Sequence, residues 1–161
     1  MRNRKLILAS VVVIAPLGLV LRMKIVKGSE PPGRLIDNGD GTVTDVVTKL
    51  TWQQATGSST YTTTTAAAYC AALNLGQFAT GWRLPAVKEL ISIVDYESPT
   101  SPTIDTVAFP GTQVYWYFTS TAAAAGGNYL FSFNTGVMGN GTNGYYVRCV
   151  HSGLGGADGG P

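Results

Sequence analysis

Two cysteines separated by the length of a domain constrain this chain more than any other feature. Cys70 and Cys149 are its only cysteines, and 78 residues lie between them. Whether they bond depends on compartment, because disulfides persist in oxidising environments and are rare where thiols are kept reduced. The N-terminus bears on that question. A basic start, MRNRK, precedes a charge-free apolar run from Leu6 to Leu21, broken only by Pro16, and RMKIVKG follows. This is the layout of a secretion signal or a short membrane anchor. The run falls short of the roughly 20 residues needed to span a bilayer, which favours a signal over residues 1–27. No small-x-small cleavage site follows it, however, so a membrane tether through residues 6–21 stays open. The expected location is the periplasm, the cell surface or the extracellular space. In an exported chain a disulfide is the natural use of two cysteines. Closing so long a loop would offset about 4 to 5 kcal/mol of folding cost, and would pin an early helix to the last strand. A catalytic or metal-bound thiol pair is the alternative, weakened by the lack of a C-x-x-C motif and the presence of one histidine.

The leader also distorts the charge. Six of the eleven basic residues lie at or before Lys27, whereas all nine acidic residues lie beyond it. From Gly28 onward, five basic residues face nine acidic ones, a formal charge of −4. The basic pI of about 8.6 therefore belongs to the leader. A mildly acidic domain lacks the clustered lysine and arginine that polyanion binding requires, so nucleic acid is not an expected partner.

The stretch DNGDGTVTD, Asp37 to Asp45, invites a calcium-loop interpretation. An EF-type loop needs oxygen ligands at its first and twelfth positions and glycine at the sixth. Placing Gly41 at the sixth puts Ile36 and Val47 where those ligands should be, and neither can donate an oxygen. A β-hairpin fits better: RLID and TVTD as strands, joined by the turn-forming NGDG. No metal and no cofactor is expected.

A length of 161 residues suits one domain with a real core. Residues 28–33 contain SEPPG and read as a linker, and the domain is expected over 34–151. LTWQQ, Leu50 to Gln54, alternates like a strand with Trp52 inward. A threonine-rich loop then leads into AAAYCAALNL, a helix expected over Ala66 to Leu75 and stopped at Gly76. In GWRLPAVKELISIVD, Pro85 can open a second helix with Val87, Leu90, Ile91 and Val94 on one face. VYWYFTST, YLFSF and GYYVRCV are rich in aromatic and β-branched residues and read as strands, with AAAAGGN and NTGVMGNGTNG as turns between them. Strands, two helices and an antiparallel strand cluster make an α+β pattern. The glycine-rich residues 152–161 have nothing to bury and are expected to form a flexible tail.

In that order, RLIDNGDGTVTDVVTKLTWQQ, YCAAL, GWRLPAVKELISIVD, YWYFTST and YYVRCV resemble the Lcl C-terminal domain family of exported bacterial proteins, over about Arg34 to Val150. The resemblance implies a C-type-lectin-like fold, with two helices, an antiparallel sheet and a disulfide between Cys70 and Cys149. It also implies that Trp82, Arg83, Leu84 and Pro85 are framework, with Arg83 satisfying carbonyls or a carboxylate of the fold. Trp52 and Arg148 are assigned to structure as well. Where relatives read close to YWSST, this chain carries Tyr117 and Phe118 within the pattern, and NYLFSFNTG replaces a commoner AWYVNFSNG-like run. Sulfated-polysaccharide binding is not carried over, because the domain is net acidic.

Catalysis would need a nucleophile with its base, a carboxylate pair or a metal cluster. His151 borders the tail, Asp95 and Glu97 sit at a helix end, and the lectin signatures EPN, QPD and WND are absent. The formylglycine-generating oxidases of the same fold class use cysteines, and here Cys70 and Cys149 occupy the bridge positions. An enzyme is therefore not expected. What remains is a recognition surface in the last third. Trp116, Tyr117, Asn128, Tyr129, Asn134, Asn140, Asn143 and Tyr145 combine flat aromatics with adaptable amides suited to a glycan or protein ligand. The same strands must also fill a core, so some of these aromatics face inward. Two functions follow: an adhesion or ligand-binding module at the cell envelope, or a structural subunit that self-associates through the same surface.

Overall fold

A computed structural model describes residues 33–154. The expected signal or anchor, most of the linker and the tail beyond Leu154 lie outside the described residues. Among the described residues, no helix is long and apolar enough to cross a membrane.

The fold is α+β, with mostly antiparallel sheets, two helices and one disulfide. Strands β1 (Leu35–Asp37) and β2 (Thr42–Asp45) form the expected hairpin, with Asp37 opposite Val43. The acidic side chains of the turn are used internally. Asp37 accepts from the Gly39 N–H, and Asp40 accepts from both the N–H and the hydroxyl of Thr42. Strand β3 (Leu50–Gln53) continues the sheet, and the two-residue β9 (Val150–His151) closes it in the order β1-β2-β3-β9. Trp52 of β3 pairs with Val43 on one side and Val150 on the other, and is fully buried.

Helix α1 spans Thr63–Ala71, so it starts earlier and stops sooner than alanine propensity suggests. Its start is set by Thr62, whose hydroxyl accepts from the Thr65 N–H while Thr65 returns a bond to the Thr62 N–H. This reciprocal cap draws the threonines into the helix and its cap, with Tyr61–Thr62 forming the short strand β4 just before it. Gly76 does not stop the helix. It turns the chain at φ +61° between Leu75 and Phe78, where an added Cβ would lie 2.6 Å from an Asp40 carboxylate oxygen. Helix α2 spans Val87–Ser92, with Ala86 as its N-cap, so Pro85 precedes the helix instead of opening it. The Glu89 carboxylate accepts from the Ala86 N–H and from both terminal nitrogens of Arg83. Val94 lies beyond the helix end yet remains buried.

The second sheet contains β5 (Trp116–Ala122), β6 (Asn128–Ser132) and β7 (Met138–Gly141), in that order. Strand β8 (Asn143–Tyr145) pairs with β4. Successive side chains on a strand point to opposite faces, and here both faces of the β5–β6 pair are covered. Tyr117 and Phe131 enter one core with Val43, Trp52, Leu90 and Phe109; Phe118 and Leu130 enter another with Ala66, Trp82, Val147 and the disulfide. That is why Tyr117 and Phe118 can be adjacent and both aromatic. The Cys70–Cys149 bond ties α1 to the segment entering β9, within this second core.

Strand β7 arises in a segment that composition marks as turn. Its glycines serve packing: a Cβ at Gly139 would lie 2.9 Å from the Trp116 indole, and one at Gly141 would lie 2.5 Å from the Tyr145 hydroxyl. Gly139→Ala is therefore expected to cost about 1–3 kcal/mol through overpacking, read as a lower urea midpoint. Pairing it with Trp116→Leu should recover part of the loss.

Two ion pairs make the fold acid-sensitive. Arg34 grips Asp45 at 2.7 Å, and Arg83 grips Glu89 at the same distance. Burial pushes the Asp45 carboxyl up, but Arg34 and the N–H groups of Thr48 and Val47 outweigh it, leaving a downward shift. Arg83 holds Glu89 below the usual carboxylate range against a smaller upward push from burial. Carboxyls with lowered native pKa values stabilise the fold above the ordinary carboxylate range, and that contribution is lost as pH falls through the native values. Stability should thus hold from neutral to about pH 5 and decline below about pH 4. Urea titrations across this range should show a shallower decline for Asp45→Asn, and an unchanged slope in that variant would contradict the assignment.

Candidate functional site

Where β5 begins, three tyrosines from two segments converge. The Tyr146 N–H donates to the Trp116 carbonyl and the Phe118 N–H donates to the Tyr146 carbonyl, so the chain after β8 runs alongside β5. That ladder brings Tyr145 and Tyr146 beside Tyr115. The Tyr115 ring stacks against Tyr145 with centroids 6.3 Å apart and meets Tyr146 edge-on at 6.0 Å. Tyr145 packs in turn against Phe118, and Tyr146 against Tyr117. Tyr115 itself is 46% exposed. Its ring is therefore held by neighbours while one side stays open to solvent, a low-entropy contact surface.

Beside this cluster lies an open cleft of about 540 Å³, lined by Thr60, Thr112, Gln113, Val114, Tyr115, Gly144 and Tyr146. Gly144, at φ +81°, turns the chain within β8. The lining is built from hydroxyls, an amide, backbone, the aliphatic side chain of Val114 and aromatic faces.

A buried polar network braces the wall of this cleft. The Gln113 N–H donates to the Tyr117 hydroxyl at 2.8 Å, and that hydroxyl shares a hydrogen bond with Thr56 at 3.0 Å. Arg148, fully buried, donates through Nη1 to the carbonyls of Gln53 and Gln54 and through Nη2 to the hydroxyls of Thr56 and Thr112. Its guanidinium carbon sits 4.5 Å from the Phe109 ring centroid. Among the described residues it has no carboxylate partner, and its Nε carries no hydrogen bond. Burial pushes the Arg148 pKa down to about 10, against an upward push from Tyr117. The group therefore remains charged at neutral pH. Burial likewise pushes the Tyr117 phenol up, opposed by the Arg148 charge.

The residues singled out from the sequence fall in different places. Tyr117 is buried and belongs to the core, which corrects its assignment to a ligand surface: its ring packs against Phe133 and Tyr146, and its hydroxyl bonds with the Gln113 N–H and Thr56. Trp116 is half-buried, with its ring over Gly139. Asn128 spends its amide on the Thr119 carbonyl. Tyr129 and Asn140 face each other across β6 and β7. Asn134 accepts from the Ser101 hydroxyl, away from the cleft lining. Asn143 is exposed on β8, and only Tyr145 stands against the exposed Tyr115. Sequence reasoning passed over Tyr115, Tyr146, Gln113 and Thr60. Tyr115 and Tyr146 both lie in the aromatic runs, but which end of each run leaves the core depends on the pairing of residue 146 with β5.

Other groups considered for chemistry in the sequence are engaged in structure. His151 stacks on Phe78 at 3.9 Å and accepts the Gly153 N–H at Nδ1. Asp95 is buried and accepts the Glu97 N–H. Trp82 is buried in the core around the disulfide. Among the described residues, no three His, Cys, Asp or Glu side chains are grouped to hold a metal ion.

The profile of the Lcl C-terminal domain matches residues 41–151, well over half of the chain. No curated protein and no solved structure matches it.

Proposed function

This chain belongs to the Lcl C-terminal domain family, and from that premise we propose that it is an exported, non-enzymatic module of C-type-lectin-like architecture that binds a glycan or a protein. The contacts are made by the cleft and the tyrosines of its C-terminal third. The observation that carries this reading is Tyr115: it is exposed, propped by Tyr145 and Tyr146, and set on the rim of a cleft braced by a buried network. An aromatic held rigid at the surface contributes to binding without a large ordering cost.

On a mixed array of glycans and matrix proteins, the chain is expected to bind at least one ligand saturably, with or without chelator. Tyr115→Ala should weaken that binding about tenfold or more. Equal binding by parent and variant would remove the cleft from the proposal.

A second reading, a self-associating structural subunit, draws on a different place. Val137 and Met138 are 51% and 55% exposed, at the start of β7, which is the edge of its sheet. Exposed apolar side chains at the start of an edge strand offer a surface on which copies can pair. Sedimentation of the parent and of Met138→Glu separates the two: oligomers lost in that variant favour the subunit.

A further inference from the structure

We infer that the cleft beside Tyr115 takes a neutral saccharide, one or two sugar rings in size, with a ring face laid on a tyrosine. This rests on the reading of the protein as a binding module and names the class of its ligand. No acidic or basic side chain lines the cleft. Of the five basic residues beyond Gly28, Arg34 and Arg83 are held by Asp45 and Glu89, Arg148 is buried, and Lys49 and Lys88 lie elsewhere. Arg148 stands behind Thr112, but its terminal nitrogens are directed to the carbonyls and hydroxyls of the fold. A sulfated or carboxylated ligand would meet no exposed cation there, and a cationic one no carboxylate.

The polar inventory suits hydroxyls. Gln113 offers an amide that both donates and accepts; Thr60 and the tyrosine phenols do the same as hydroxyls. Among the described residues, Thr60, Tyr115 and Tyr146 make no side-chain hydrogen bond, and Gln113 makes one weak bond, to Gly111 at 3.3 Å. Sugar hydroxyls also act in both senses, and the apolar C–H face of a sugar ring needs a flat aromatic partner. Size agrees: about 540 Å³ lies within the roughly 300–1,000 Å³ of small-molecule sites. An extended proline-rich peptide, at about 3.1 Å per residue, would need a longer aromatic track.

The test is titration of the full chain with cellobiose, maltose, lactose and N,N′-diacetylchitobiose, followed by backbone amide shifts. A sulfated heparin-type oligosaccharide and decaproline run beside them. A neutral disaccharide is expected to move the amides of Thr60, Gln113 and Gly144 saturably. Its affinity should change less than about twofold between roughly 50 and 500 mM salt, as no counterions are released. Tyr115→Ala should weaken it about tenfold or more, Tyr115→Phe should retain most of it, and Val137→Ser should leave it unchanged. Silence from all four neutral sugars overturns the inference. If the sulfated oligosaccharide or decaproline then moves the same amides, the binding-module reading stands without it; if nothing binds and the chain self-associates, both fall.

Discussion

Arg148→Met is expected to destabilise the fold by about 2–4 kcal/mol, seen as a lower urea midpoint at unchanged slope. Methionine matches much of the arginine stem, so the effect isolates the guanidinium. Four acceptors lose their donor, of which the hydroxyls of Thr56 and Thr112 can find others but the carbonyls of Gln53 and Gln54 cannot turn. A stranded buried acceptor costs roughly 1–3 kcal/mol, partly offset because a charge with no counter-ion is no longer buried. Arg148→Lys should recover little, since one ammonium cannot reproduce the forked geometry. If Arg148→Met matched the parent in stability, the bracing role given to this residue would be refuted. The same variant should loosen Thr112 and with it the cleft, so ligand binding should weaken in parallel.

Removing the disulfide should have an effect of similar or larger size. The double variant Cys70→Ser, Cys149→Ser is expected to lose about 3–5 kcal/mol, because the unfolded chain regains the freedom of a long loop. Both positions are fully buried, so the two hydroxyls must also find partners in an apolar core. The parent protein in strong reductant should unfold at nearly the same urea concentration as the double variant. A parent indifferent to reductant would show that the bond contributes little.

The α+β order and the opening hairpin are legible because they rest on local chemistry. NGDG needs glycines at positive φ, and both Gly39 and Gly41 adopt it. Trp52 is inward as expected, although its neighbours Thr51 and Gln53 are buried as well, so β3 is covered on both faces. The limits of α1 are less legible, since the reciprocal bonds between Thr62 and Thr65 override alanine propensity. Strand β7 is hidden because Gly139 and Gly141 look like turn residues until Trp116 and Tyr145 are seen lying on them. The site suffers from the same nonlocality. Composition places aromatics in the last third, but Tyr117 is buried while Tyr115, just before β5, keeps an exposed ring against Tyr145 and Tyr146, and Gln113 and Thr60 join the cleft from segments far apart in sequence.

The C-terminal end of the domain carries much of what completes the fold. Residues 148 to 150 supply, in turn, the buried cation that binds the segments around Gln53 and Thr112, the second half of the disulfide, and the strand partner of Trp52. A chain emerges from a ribosome N-terminus first, so none of these three closures can form until residues 148 to 150 have been delivered. Until then the first sheet lacks its closing strand and the second core lacks its staple. Completion of this domain therefore waits on residues 148 to 150, and a product truncated only a few residues before Arg148 should behave as an unfinished domain.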